Sequence, residues 1–224
     1  MNAKHMMIER RGLQRRHLLG GLAAAALLAV GGLPLRAEGE AEEVTLTPDA
    51  RGLFPDDNTL GDPDAPTVLI EYASLSCPHC AHFHETSLPP LKKNWIEEGK
   101  LLYVYRDFPT NAPALWAAML SHCLEGEAYF TFLNLLYKQQ REWLTAEDPG
   151  AALFELGKIA GFDKERFEAC LTDEATFARL VAGIKYAEDT YGVDATPTLI
   201  LNGEKVRPGT YDELAELIAD SQSG

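Results

Sequence analysis

The spacing of apolar and polar positions changes period several times along the chain, and each change marks an element. Thr67-Val68-Leu69-Ile70-Glu71-Tyr72 is a β-branched and aromatic run of the kind found in strands buried on both faces. Pro78 suits the first helical positions, and residues 81–88 continue a helix until Pro89 and Pro90 kink or break it. Leu91, Trp95 and Ile96 resume a helical face that Gly99 ends, and Leu101-Leu102-Tyr103-Val104-Tyr105-Arg106 reads as a second buried strand before the turn at Pro109. From Pro113 to about Tyr191 the period is helical almost throughout, over 114–124, 128–143, 151–160, 164–171 and 174–191. The last of these sets Phe177, Leu180, Val181, Ile184 and Ala187 on one face, and Trp95, Trp116 and Trp143 fall among residues of helical period as packing side chains. Residues 197–201 then form a strand, Asn202-Gly203 a hairpin turn that needs positive φ, and residues 204–207 the partner strand. Leu214, Leu217 and Ile218 define a closing helix. The pattern predicts an α/β unit made of residues 67–112 and 192–224, interrupted by an all-helical insertion over 113–191.

Composition narrows the class. The 224 residues are 46% hydrophobic and 24% charged, which fits a folded domain with appendages and excludes disorder. The 34 acidic against 20 basic residues give a formal charge of −14, so attraction to nucleic acid or to anionic membrane surfaces has no support. That charge is unevenly placed. Residues 1–37 hold six basic side chains and one acidic one, a net of +5 that leaves −19 on the remainder. The basic start precedes Leu18–Leu33, sixteen residues of Leu, Ala, Gly and Val only, too short for the roughly 20 that a spanning helix needs. Residues 1–37 therefore read as a signal peptide cut after Ala37, and the mature protein is expected in the periplasm. Gln14-Arg15-Arg16-His17-Leu18-Leu19 resembles a twin-arginine export signal, with a general secretory signal as the alternative. Residues 38–66 follow as an acidic lead into the domain; they lack heptads and long helical periodicity, so a monomer is expected.

Export decides how the cysteines are read. Cys77, Cys80, Cys123 and Cys170 allow three pairings in a disulfide-permissive compartment. Only two residues separate Cys77 from Cys80, a loop too tight for its closure to add much stability, and such a pair is rarely structural. Cys77-Pro78-His79-Cys80 follows a buried strand and opens a helix, whose unpaired N–H groups and dipole favour negative charge on Cys77 and lower its pKa below the roughly 8.5 of a free thiol. Cys77 is then the attacking and leaving sulfur, and Cys80, one turn in, the resolving thiol. A protonated His79 favours the thiolate further. A stabilised thiolate favours the dithiol over the disulfide, so the Cys77–Cys80 bond becomes more oxidising and is given away. No organic cofactor is needed, because the dithiol is itself the redox group.

The strand, Cys77-Pro78-His79-Cys80, the long helical insertion and Thr196-Pro197 opening a late strand together resemble a DsbA-family thiol:disulfide oxidoreductase on a thioredoxin fold, over about residues 60–220. The resemblance implies an α/β thioredoxin fold with an inserted helical subdomain. It also implies a cis bond at Thr196-Pro197 facing the redox pair, with Thr196 presenting its backbone to substrate, and Glu71 as a buried acid that exchanges the Cys80 proton. Members similar to this chain often carry a second disulfide in the helical region, which implies that Cys123 and Cys170 pair. The implied substrates are newly exported, cysteine-containing proteins, and the implied partner is a membrane protein that reoxidises the dithiol.

Two other readings remain open. Thr196 also occurs in isomerase and reductase branches, which run the same fold in other directions. Alternatively, Cys77 and Cys80 form half of a zinc or copper site completed by His79, His82, His84 or His122, although no second pair of that spacing exists and the strand-helix context favours redox chemistry. Apart from that, His82 and His84 read as solvent-facing or helix-packing residues, and Arg106-Asp107-Phe108-Pro109 as a turn with a packed Phe.

Overall fold

The computed structural model describes residues 44–207 and 209–223, so the segment read as a signal peptide lies outside the described residues. Its centre is a pair of fully buried parallel strands, β1 being kept for the short Asn58–Leu60: β2 is Thr67–Ala73 and β3 is Leu101–Asp107, aligned with Thr67 opposite Leu101 and Glu71 opposite Tyr105. β4 (Thr198–Leu201) runs antiparallel to β2, β5 (Glu204–Val206) pairs with β4, and β1 lies antiparallel along β3, giving the order β1-β3-β2-β4-β5. β1 was not foreseen, since three residues are too few to show a period.

Both faces of β2 are covered, and its period of two deals side chains into two cores. Val68, Ile70 and Tyr72 join Leu102, Val104 and Ile200 on one side, with Ala187 and Val193. Leu69 and Ala73 join Tyr103, Tyr105 and Leu199 on the other, with Cys80 and Phe83. Glu71 is in phase with Leu69 and Ala73, so the backbone pleat sends this one acidic side chain to the face that holds Cys80.

The hairpin turn has Asn202 at φ 48° and Gly203 at φ 87°, the left-handed pair expected of an Asn-Gly connection. Asn202 also clamps the opposite end of β2: its Oδ1 accepts from Val68 N at 2.8 Å and its own N–H donates to Val68 O at 2.9 Å.

Helix α1 (Pro78–Thr86) starts with Pro78 in its first turn and Cys77 as the extended N-cap residue. The expected break at Pro89-Pro90 occurs two residues earlier, at Ser87, and the prolines lie inside α2 (Leu88–Leu91). In a continuous helix their missing N–H groups would have bonded the carbonyls of Glu85 and Thr86, so the irregularity appears upstream of the rings. Lys92–Ile96 continues as a π-helical turn.

Between β3 and β4 the chain is helical: α3 (Ala112–Ser121), α4 (Gly126–Lys138), α5 (Gln140–Leu144), α6 (Pro149–Ile159), α7 (Lys164–Leu171) and α8 (Glu174–Tyr191). Asn111, Asp148, Asp163 and Asp173 cap four of these starts with side-chain oxygens, each worth about 1 kcal/mol. α9 (Tyr211–Ser221) closes the chain behind a reciprocal Thr210–Glu213 capping box. The single helix expected over 128–143 is two, divided at Gln139. On α8 only Leu180 and Ala187 of the anticipated stripe are buried, while Phe177 and Val181 are nearly half exposed; Trp116 on α3 is likewise exposed, not packed as expected. Leu180 meets Ala118 and Met119 of α3, whereas Ala187 meets the sheet, so the helix serves two neighbours in succession and no single face is covered along its length. A disulfide joins Cys123, after α3, to Cys170 of α7.

Arg106 and Asp107 belong to β3 rather than to a turn. The Arg106 guanidinium donates to both Asp57 carboxylate oxygens (2.9 and 2.7 Å), to Tyr72 Oη at 2.8 Å and to Gly52 O at 2.6 Å, and lies 4.0 Å from the Phe54 ring centre. These contacts tie residues 52–57 to the sheet.

Candidate active site

Cys77 stands where the loop from β2 turns into α1. Its N–H donates to Ser74 O at 2.9 Å, and Gln140 Nε2, at the start of α5, donates to Leu75 O (2.8 Å) and Cys77 O (3.0 Å). The loop that presents the sulfur is thus held from two sides. No side chain caps α1, so its first N–H groups remain available to the Cys77 sulfur.

That sulfur is half-buried, and its thiol reaches Thr196 O at 3.2 Å. The Thr196-Pro197 peptide bond is cis, and Thr198 Oγ1 donates to Ala195 O at 2.7 Å, bracing the same turn. The Cys77 pKa is lowered to about 5. The largest cause is a hydrogen bond from the Cys80 thiol; burial opposes it, and the Thr196 side chain and the backbone N–H groups of Cys80 and His79 add to it. His79 therefore contributes through its peptide N–H, and its imidazole is exposed. Cys80 is fully buried, and its thiol is pushed far up, first by burial, then by its hydrogen bond to Cys77, then by the charge of Glu71.

Glu71 is completely buried. Tyr103 Oη donates to its Oε2, and His84 Nε2 lies 3.0 Å from the same oxygen, while Oε1 has no hydrogen-bond partner. His84 is a helix-packing residue in the full sense, 7% exposed, and not a solvent-facing one. It follows Cys80 by four positions, which places both on one face of α1. Its ring lies 4.3 Å from the Tyr137 ring of α4 and 5.7 Å from that of Tyr105, whose hydroxyls meet at 2.9 Å. Sequence reasoning missed His84, Tyr103 and Gln140 as parts of this site. The i, i+4 relation to Cys80 was the one signal available for His84, whereas Tyr103 and Gln140 arrive through tertiary packing.

The histidines do not assemble as ligands. His79 and His82 are exposed, His84 is engaged with Glu71, and His122 Nε2 lies 2.9 Å from Asp107 Oδ2. Among the described residues no group of three or more His, Cys, Asp or Glu side chains is arranged to hold a metal ion. A vicinal thiol pair with opposed proton affinities, next to a cis-proline turn, is instead equipped for disulfide exchange.

The family model described as Thioredoxin matches residues 54–220. The crystal structure of Wolbachia pipientis alpha-DsbA1 is similar at 31% identity with a TM-score of 0.71, covering 76% of this chain and 93% of that one. A Rickettsia conorii protein named as a protein-disulfide oxidoreductase is 33% identical over 159 residues, 70% of this chain and 57% of its own length. Disulfide bond formation protein D of Bacillus subtilis is 28% identical over 175 residues, 74% of this chain and 77% of that protein. The chain spans roughly three fifths of the length of the Rickettsia relatives it matches, 61% in the case of the Rickettsia prowazekii protein. On the matched domain, the sheet and the thiol pair at the head of α1, the chain belongs to the thioredoxin family and, within it, to the DsbA-type thiol:disulfide oxidoreductases.

Proposed function

We propose that this protein donates a Cys77–Cys80 disulfide to pairs of thiols in newly exported proteins. The observation that carries this reading is the opposition between the two sulfurs, one stabilised as a thiolate and the other held as a thiol. A substrate thiolate attacks Cys77 Sγ, the Cys77–Cys80 bond breaks with its electron pair going to Cys80, and a substrate–Cys77 mixed disulfide forms. A second substrate thiolate then attacks the substrate sulfur of that bond, leaving the substrate oxidised and both cysteines reduced. Cys77 is both the sulfur attacked first and the thiolate that departs second, and its low pKa makes the departure easy.

Thr196 and Pro197 line the approach to Cys77, and the Thr196 backbone is the group offered to an extended substrate segment; Pro78 shapes the opposite side as the first helical residue. Glu71 exchanges the proton of Cys80. Turnover requires a membrane partner that returns the dithiol to the disulfide. The reading of residues 1–37 as an export signal supports an oxidising compartment, with which the Cys123–Cys170 bond is compatible. Among the described residues no helix is long and apolar enough to cross a membrane.

The test is to equilibrate the mature protein with a glutathione redox series and follow alkylation of Cys77. A donor stays largely reduced until the buffer is strongly oxidising. A pair that remains oxidised in reducing glutathione turns the assignment to a reductase.

A further inference from the structure

The donor step leaves Cys80 needing a proton in a place that water does not reach. Cys80 has no exposed surface, and Glu71, whose charge acts on it, has none either. A carboxyl group so enclosed can serve one turnover, but it must then recover its proton from somewhere. Its two polar contacts differ in what they can do. The Tyr103 hydroxyl is held protonated by burial and by Glu71 itself, so it steadies the carboxylate without carrying charge onward. An imidazole, by contrast, can release a proton at one nitrogen while accepting one at the other.

We propose that His84 is the proton relay of Glu71, linking the buried carboxylate to water in the cavity between α1 and α4. Three observations place it there. His84 Nε2 is 3.0 Å from Glu71 Oε2, and its other nitrogen, Nδ1, is buried with no hydrogen-bond partner. His84 lines a cavity of about 270 Å³ together with Ala81, Pro89, Asn134 and Tyr137, rimmed by Glu85 and Lys138. Of the other rings packed on it, Phe83 of α1 has no proton to exchange, and Tyr105 from β3 and Tyr137 from α4 have hydroxyls likewise held protonated by burial. The route therefore has one carrier between Glu71 and the cavity.

The step balances as follows. As the substrate thiolate bonds to Cys77 and the Cys77–Cys80 bond breaks, the electron pair passes to Cys80, which takes a proton from the Glu71 carboxyl. Glu71 regains it from His84 Nε2, and Nδ1, closed off from solvent in the packed state, takes one from water of the adjoining cavity when the α1–α4 packing opens enough to admit it. Reoxidation runs the same path backwards. A thiolate that binds its proton as tightly as Cys80 is a poor leaving group, so delivery of that proton governs the rate. His84 acts through Glu71 and does not touch the sulfur.

This inference rests on the donor reading above, and the test separates the two. The oxidised mature protein is mixed with reduced glutathione, quenched by alkylation at intervals across pH 5 to 8, in H2O and in D2O. The wild type is expected to react more slowly in D2O than a free disulfide does by the same comparison. His84→Gln, which keeps a hydrogen bond to Glu71 but cannot relay, is expected to react about tenfold more slowly or worse, with a flattened pH profile. Because a relay speeds both directions alike, its glutathione equilibrium stays at the wild-type value. Added imidazole restores the rate of His84→Ala. His84→Gln reacting at the wild-type rate with the wild-type pH profile overturns the proposal, as does a wild type with no excess solvent isotope effect, a measurement that needs no variant to fold. A wild type that exchanges with glutathione at all keeps the donor reading alive whichever way His84 falls; one that does not overturns both.

Discussion

Cys77 and Cys80 sit one helical turn apart, and their surroundings push protons in opposite directions. The first sulfur accepts hydrogen bonds from the second, from the Thr196 side chain and from two peptide N–H groups; the second is held protonated by burial, by the hydrogen bond it gives Cys77 and by a neighbouring carboxylate, against a backbone hydrogen bond with Ser74. Because the Cys80 thiol is the leading stabiliser of the Cys77 thiolate, replacing it by Ala should raise the Cys77 pKa by roughly one to two units, as a lost charge-assisted hydrogen bond implies. Thiolate absorbance against pH checks this, and an unchanged midpoint would transfer the credit to the helix terminus. The same shift has a pH signature. With the folded pKa near 5 and the ordinary value at 9.0, the reduced protein gains stability that is complete above pH 9 and vanishes as pH falls through 5. The oxidised protein has no such group. Denaturant unfolding of the two forms should therefore show the reduced form gaining on the oxidised one from pH 5 to pH 9, and parallel curves would contradict a depressed Cys77. The CxxC pair stood out in the sequence because a closely spaced thiol pair is rare, and Glu71 was reached only through the family resemblance. His84 did not, since its neighbours in space lie on β2, β3 and α4, and no local period announces them.

Elements fix where those residues stand. α1 owes its position to the loop ahead of it, and that loop owes its shape partly to Gln140, which donates to two of its carbonyls. Gln140→Leu leaves both acceptors buried without that partner and should cost about 1–3 kcal/mol in chemical denaturation, together with a change in the Cys77 titration. A variant of wild-type stability would mean the loop is held by Ser74 and the helix alone. The helix boundaries that could be read from sequence are those written in local chemistry. Asp163 and Asp173 cap α7 and α8, whose residue ranges follow the predicted period directly. The division at Gln139 was hidden because the contact made just after it, the reach of Gln140 to the active-site loop, is tertiary. The break at Ser87 was displaced from its prolines because a ring disrupts hydrogen bonds four residues upstream of itself. The exposed Phe177 and Val181 show the limit of periodicity as a guide: it marks an apolar side of α8 but not which neighbour covers each turn of it.

At the scale of the molecule, the α/β core and its helical excursion were legible because buried strands and amphipathic helices have different periods, while β1 is recruited only by β3. The disulfide from Cys123 to Cys170 closes a separation of 47 residues among the helices. Replacing both cysteines by Ala should lower unfolding stability by up to roughly 4 kcal/mol on the chain-entropy view, and should leave the Cys77 absorbance titration where it was. Movement of that titration would mean that the helical part and the redox centre are coupled. One last consequence follows from the clamp of Asn202 on Val68. In a sheet with one wet side, greasy residues alone decide which way a strand is phased; β2 is oily above and below, so its hydrophobicity is nearly indifferent to a slip by one position. The two bonds of Asn202, one from its side-chain oxygen and one from its backbone N–H, act as a phase marker, and they decide which hemisphere of the protein receives Glu71.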